Sequence, residues 1–515
     1  MSLQKNKISF TDNKHIIKFK LSNYHFDYQS LYFINLRKMI GVSVLLFLGI
    51  IAVHYFFNAT KTLAKVYFPA LFFKFFCGTL LYQLHLSFMI LPDLIFYKQD
   101  IIRLSDYFWS DTYGYLTFLL TGKLNSSWNY IFATEGERAF FFVRYLSLMN
   151  VLAAKNMYLT SLYSSLMAFF GLWVCANRLA EWFIKPNDSD KKIRKIKLAL
   201  SVGFFFTPSV AFWASSMMKE SFLWLIMGLV IALFLDILRF NYSKIFVKEN
   251  KLKFIGIVIK LILFSLLCLC LFLLKYYYFA LLIPLLLAFG ISFFAHTYFA
   301  KFYNPSFRFQ LAVFLGSFVF IVGLASNLHP NLWFSRLSEA IFINQQNILA
   351  TSNFDSQINF TYSYDFEPIY HNYKNGEYQT YPSYFQLIEQ SPKALLAGLF
   401  FPLEIDFSSL GSSAFNYYRL ASVIENWIIL FLFVHTISIK KLFYKVRSLF
   451  SSQKSNSKSN STKNDSLAIL WLVGIIFCVG MATLLALSAP NLGTLVRYKI
   501  GFLPFFIFGI FMCLD

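Results

Sequence analysis

The chain has 515 residues, of which 57% are hydrophobic, 20% aromatic and only 14% charged, and its mean hydropathy is +0.56. Soluble globular domains carry about 25% charged residues, so a soluble fold is excluded and a polytopic membrane protein is expected. The net charge of +21, from 46 Lys and Arg against 25 Asp and Glu, admits nucleic acid, an anionic membrane surface or a topology signal, and the positions of the charges decide.

The first 38 residues are polar and basic, without the apolar core of a cleavable signal peptide. A crossing helix needs about 20 mostly apolar residues. Eleven stretches qualify: Met39–Asn58, Phe68–Ile90, Met157–Phe183, Leu198–Ala214, Ser221–Leu238, Phe254–Leu274, Tyr277–Ala295, Phe309–Ser326, Leu420–Ser438, Leu467–Ser488 and Ile500–Leu514. Ala139–Asn156, with Arg144 near its start, is a candidate twelfth and reads better as lying along the interface. The expected fold is therefore all-α, a polytopic transmembrane bundle of about 11–12 spans with interfacial helices in the outer loops. Four regions follow: a basic segment 1–38, a membrane bundle 39–326 with an outer loop 91–156, an extracytoplasmic region 327–419, and the C-terminal spans 420–515. All six cysteines (Cys77, Cys175, Cys268, Cys270, Cys478 and Cys513) lie in apolar runs without zinc-type spacing and read as free thiols.

The basic residues gather after Phe183 (Lys185, Lys191, Lys192, Arg194, Lys195, Lys197), after Leu238 (Arg239, Lys244, Lys248, Lys251, Lys253), after His296 (Lys301, Arg308) and after Ser438 (Lys440 to Lys463). These loops alternate with less basic ones and are assigned to the cytoplasm by the positive-inside rule. The last contains Ser451–Ser466, a low-complexity stretch expected to be disordered. The loop Asn327–Arg419 is instead acidic. Most of the +21 is thus a topology signal, and no nucleic-acid motif accompanies it. Counted from this assignment, eleven spans put the basic N-terminus outside. Either one early segment fails to span, which is the favoured expectation, or Ala139–Asn156 does span and the Leu91–Arg138 loop is cytoplasmic.

The unusual polar residues collect on the outer side. In Ser105–Tyr115 (SDYFWSDTYGY), Asp106 and Asp111 suit a base, a metal ligand or a sugar-hydroxyl acceptor, and equally suit helix capping. Lys219 and Glu220, in PSVAFWASSMMKES, stand at a membrane boundary, where a Lys can hold a phosphate or simply snorkel. Lys275 heads a run of three tyrosines, read mainly as an aromatic belt. The Tyr- and Asn-rich outer loop suits sugar rings or an ordinary cap. SPKALLAGLFFPLEIDFSSLG, with Glu404, reads as interfacial or re-entrant. Glu425 interrupts a span, and Arg497 and Lys499 begin the last one, where Arg497 suits an anionic ligand or an acidic partner such as Glu425 or Glu220. There is no Walker A, GxGxxG or HExxH motif, and no internal repeat of the kind carriers show.

The segments LLYQLHLSFMI…LSDYFWSDTYGYL, PSVAFWASSMMKES, SPKALLAGLFFPLE…SVIENW and NLGTLVRYK together resemble a group of bacterial membrane proteins similar to GT-C glycosyltransferases with lipid-linked sugar donors and to O-antigen polymerases. The resemblance is scattered over Phe68–Phe502. It implies a multi-pass protein of the bacterial inner membrane, taking a polyprenyl-phosphate-linked sugar on the extracytoplasmic face and a glycan or protein acceptor. Asp111 matches the family's acidic loop residue, a base or holder of a divalent metal, with Asp106 the alternate. Lys219 and Arg497 match the phosphate-binding positions, supported by Glu220, Lys275, Glu425 and Glu404. In one departure, the acidic loop follows two apolar segments where GT-C enzymes usually have one. The alternatives are a polysaccharide polymerase, which the Arg-poor outer loop disfavours, and a carrier or scaffold subunit of an envelope complex.

Overall fold

The computed structural model describes residues 25–88, 92–124, 128, 132–134, 137–239, 251–300, 302, 305–329, 332, 336–352, 370–374, 377–381, 383–403, 414–436, 458–489 and 492–513. Seven helices in these residues are long and apolar enough to cross a membrane: Lys38–Asn58, Ala64–Ser87, Met157–Phe183, Lys219–Leu238, Ile255–Phe299, Phe307–Asn327 and Asp465–Ser488. The pair Gly493–Lys499 and Leu503–Cys513, bent by 66°, makes an eighth if it counts as one span. The protein is an all-α multi-pass membrane bundle.

Direction is read from side-chain contacts along α6 (Met157–Phe183). In α1 (His25–Asn58), the Ser43 carbonyl accepts from the Tyr163 hydroxyl at 2.8 Å, and after the helix the Leu63 amide donates to Asn177 Oδ1 at 3.3 Å. α1 therefore runs parallel to α6. α2 (Tyr67–Phe88) runs back, because Tyr67 packs on Trp173 and Tyr82 on Tyr158, with ring centroids 4.9 and 4.8 Å apart. Both early helices thus traverse the bundle, and the start of α1 lies at the Met157 end. The expectation that one early segment stops short is not what these contacts show.

At that end lie α3 (Pro92–Ser110), α4 (Thr112–Thr121) and α5 (Glu137–Leu152). α5 stays there along its length. Arg138 lies over Tyr276 at 4.2 Å, Tyr145 stacks on Phe222 at 3.8 Å, and Leu152 accepts from the Ser43 hydroxyl. Its partner rings come from neighbouring helix ends, as an interfacial helix requires.

The expected span Leu198–Ala214 is not one helix. It is divided into α7 (Asp190–Ser201), a π turn Val202–Phe206, and the short α8 (Pro208–Trp213). Pro208 cannot donate into a continuing helix and sits at its N-terminal position. The broken segment still returns the chain, since Ser216 beyond it bonds Ser161 near the start of α6 at 2.9 Å. α9 (Lys219–Leu238) then runs parallel to α6. The two meet at Gly171 and Gly228, where a Cβ on Gly228 would fall 2.1 Å from the Gly171 carbonyl oxygen. Small residues of this kind let membrane helices approach closely.

α10 (Lys251–Phe299) is interrupted at Lys275, whose backbone is non-helical. Lys260 pairs with Asp236 near the end of α9, Lys275 reaches Glu220 at its start, and Gly290 lies against Phe234. The chain therefore reverses at Lys275, and its two arms are the two spans expected from the sequence. α11 (Phe307–Leu328) returns, bringing His329 to Phe272 with centroids 5.0 Å apart.

Beyond it stand α12 (Leu337–Ser352) and a hairpin pairing Tyr370–Lys374 with Glu377–Tyr381, the strands described here in an otherwise helical chain. α13 (Tyr384–Phe400) begins with a capping box at Ser383 and Gln386. It enters the bundle far enough for Gly398 to meet the Ala482 carbonyl of α15 (Lys458–Ser488). α14 (Ala414–Thr436) follows. Helix begins at Lys458, inside the stretch expected to be a disordered loop, because an apolar helix propagates readily into its flank. The chain closes with α16 (Leu492–Lys499) and α17 (Leu503–Cys513).

Candidate functional site

Asp111, Glu220, Lys275 and Arg497 take their places from a helix end or break. Glu220 lies in the first turn of α9, fully buried, and Lys275 sits at the reversal of α10. Arg497 lies near the end of α16. The three converge. Glu220 Oε1 accepts from Lys275 Nζ at 2.7 Å and lies 3.1 Å from Arg497 Nε. Side-chain exposure grades from 0% at Glu220 through 6% at Lys275 to 17% at Arg497. Among the described residues, Glu220 Oε2 is buried and is paired in no hydrogen bond. Tyr rings enclose the group, with Lys275 Nζ 4.4 Å from the Tyr498 centroid and 5.9 Å from those of Tyr277 and Tyr278. Lys219, one residue before Glu220, turns instead to Tyr97 of α3, its Nζ 5.4 Å from that ring.

The two predicted carboxylates are not brought into this group: they lie towards the other end of α3 from Tyr97, the ring that Lys219 meets. Asp111 is the N-cap of α4, and its Oδ1 accepts from the Gly114 amide at 2.8 Å. Its Oδ2 lies beside the buried Tyr107 hydroxyl, which has no hydrogen-bond partner. A Cβ on Gly114 would fall 2.1 Å from that Oδ2 and 2.3 Å from the hydroxyl, so this corner requires glycine. Asp106 pairs with Lys155 at 2.5 Å, and left-handed backbone at Ala154 and Lys155 turns the lysine towards it. Capping is therefore observed for Asp111, whereas Asp106 makes an ion pair that neither reading of the sequence offered. Neither excludes chemistry at a remaining oxygen. Among the described residues no three His, Cys, Asp or Glu side chains come together as a metal site.

Glu425 is not the partner of Arg497. It caps α8, accepting from the Ser209 amide at 2.8 Å and the Ser209 hydroxyl at 2.6 Å. At the other end of α8, buried Lys74 donates to the Val210 and Ala211 carbonyls at 3.3 and 3.2 Å. A six-residue helix is thus held between a carboxylate at its N-terminus and an ammonium at its C-terminus, the arrangement its dipole favours. Lys499 donates to Asn426 Oδ1 and to the Phe401 carbonyl, and Asn426 donates to Pro402. These bonds satisfy carbonyls freed where α13 ends. Lys74 and Asn426 were not singled out from the sequence, although an ionisable residue within an apolar run is the signal for Lys74, and Lys499 was marked only as a charge at the start of the last span. Glu404 lies outside the described residues.

A cavity of about 340 Å³ opens deeper in the bundle, lined by apolar side chains such as Leu179, Leu286, Leu399, Phe433, Phe477 and Phe508. None of the predicted site residues borders it.

No protein-family model matches the chain, and neither a curated protein nor a solved structure does. The functional reading therefore rests on geometry.

Proposed function

We propose that the protein is a GT-C-type glycosyltransferase of a bacterial inner membrane, taking a sugar from a polyprenyl-phosphate donor at the bundle end that carries Glu220. The observation that carries this reading is Glu220 itself. One oxygen fixes two cations side by side, while the other is buried and, among the described residues, paired in no hydrogen bond. A buried, unmatched acceptor costs roughly 1–3 kcal/mol, and more when charged, a cost that a sugar hydroxyl would remove. Lys275 and Arg497 are placed for the phosphate beside that sugar, with Arg497 the more accessible. Lys219 is the neighbouring cation.

In this reading an acceptor hydroxyl attacks the anomeric carbon and gives its proton to Asp111. The bond from that carbon to the phosphate oxygen breaks, and its electron pair leaves on the polyprenyl phosphate, whose charge the two cations stabilise. The configuration inverts. The acceptor is a glycan or a protein.

The test exploits capping. Asn caps helices about as well as Asp, so Asp111→Asn preserves the fold of α4 and removes the base. Transfer from a polyprenyl-phosphate sugar in proteoliposomes is expected to fall at least about 100-fold, the usual scale of general-base catalysis. Full transfer by this variant would reject the role of Asp111.

A carrier is the second reading, favoured by one observation. The α7–α8, α13–α14 and α16–α17 interruptions meet around Glu425, Asn426 and Lys499, and carriers build their sites from broken helices. Movement of a lipid-linked sugar across proteoliposomes without covalent change would select it.

A further inference from the structure

The opposite end of the bundle carries a charged network that the proposed reaction does not use. Glu181, near the end of α6, binds Arg178 at 2.7 Å and Arg239 at 2.9 Å, with Lys61 at 3.6 Å. Asp236, near the end of α9, binds Arg178 Nε at 2.9 Å and Lys260 at 3.4 Å. Four cations from the α1–α2 turn, α6, the end of α9 and α10 thus share two carboxylates. The side chains of Lys61 and Arg239 remain 36% exposed and that of Lys260 44%. Arg239 also lies over Trp182 at 5.3 Å.

Two positive charges are left over, and their surroundings say what they meet. Ile255, Ile259, Ile262 and Leu266 of α10 are all more than half exposed, although each is apolar. Their spacing puts them on one helix face, and Lys260 lies on the same helix about a third of a turn from it, towards Asp236. An exposed apolar stripe on a membrane-crossing helix faces hydrocarbon chains. A cation flanking it, beside others at a helix junction, meets whatever charged group those chains carry. Basic pockets between helix ends suit anionic headgroups.

We propose that Lys61, Arg239 and Lys260 form a binding site for the phosphate headgroup of an anionic phospholipid, whose chains lie along the Ile255–Leu266 face. Glu181 and Asp236 do not bind the lipid. They hold Arg178 between α6 and α9 and keep the exposed cations in register.

Trp182 lies beside the site, and its share of the signal from the chain's nine tryptophans is the quenching lost in Trp182→Phe. The full chain is placed in phosphatidylcholine nanodiscs, and tryptophan quenching is titrated with brominated phosphatidylglycerol and, separately, with brominated phosphatidylcholine. The wild type is expected to prefer the anionic lipid. The preference should fall about fivefold for each cation removed, first in Lys260→Gln and further in Lys260→Gln with Arg239→Gln. Quenching by phosphatidylcholine, unchanged across the variants, reports that the fold is intact. Lys260→Gln removes one partly exposed, 3.4 Å contact and is the variant to rely on should the double variant unfold. Equal quenching by the two lipids, or a preference that survives Lys260→Gln, would overturn the proposal. Loss of the preference on adding inorganic phosphate would instead assign the site to a soluble anion and overturn the lipid assignment.

Discussion

Glu220 is the residue on which the site turns. Glu220→Gln keeps its shape and leaves Lys275 and Arg497 side by side without a counter-charge. Removing one partner of a buried ion pair costs about 3–5 kcal/mol. Thermal unfolding in detergent should show a loss of that order, partly restored by adding Lys275→Met; an unchanged midpoint would mean that the carboxylate does not hold the cations. The sequence singled out Glu220, Lys275 and Arg497 one by one, because charges in apolar surroundings stand out. It also offered Glu220 or Glu425 as the acid for Arg497, and the structure selects Glu220. Lys74, Asn426 and Lys499 were less legible because their partners are mainly backbone carbonyls at helix breaks. A sequence does not announce where such carbonyls become free.

Helix crossings and caps carry the next set of expectations. Gly171 and Gly228 let α6 and α9 touch backbone to backbone, so Gly228→Ala forces them apart. Overpacking of this kind costs about 1–3 kcal/mol. Gly256, with nothing within 4 Å of its Cβ position, is the control. Gly256→Ala should be neutral in the same thermal assay, and equal effects at the two sites would contradict the close crossing. At α4, Asp111→Ala removes the cap and should cost about 1 kcal/mol, while Asp111→Asn should cost little; identical unfolding of the two variants would mean that the cap is not formed in solution. The long apolar helices were legible because 20 apolar residues leave few alternatives in a bilayer. The division of Leu198–Ala214 was less so. Pro208 lies within that stretch and cannot continue a helix, but only tertiary partners such as Glu425 and Lys74 make a six-residue helix tenable there.

For the molecule as a whole, the contacts order the helix directions. Lys123 lies at the Glu220 end, while Thr60 and Asn187 lie at the end marked by Arg178 and Glu181. Cysteines introduced at Thr60 and Asn187 should react with an impermeant reagent from one side of the membrane, and one at Lys123 from the other. Labelling of Thr60→Cys and Lys123→Cys from the same side would contradict the antiparallel course of α1 and α2. The low charged fraction made the membrane class plain, and the basic loops suggested which ends face the cytoplasm. The basic N-terminal segment argued the other way, and the pairing of α1 with α6 places its helix start at the Met157 end. The most direct measurement is transfer of a labelled sugar from a polyprenyl-phosphate donor in proteoliposomes, comparing the wild type with Arg497→Gln. The account predicts covalent transfer by the wild type and at least about a tenfold loss in the variant, since a charge-assisted bond to the phosphate is worth about 1.5–3 kcal/mol. Equal transfer by both, or donor movement with no new glycosidic bond, would contradict it.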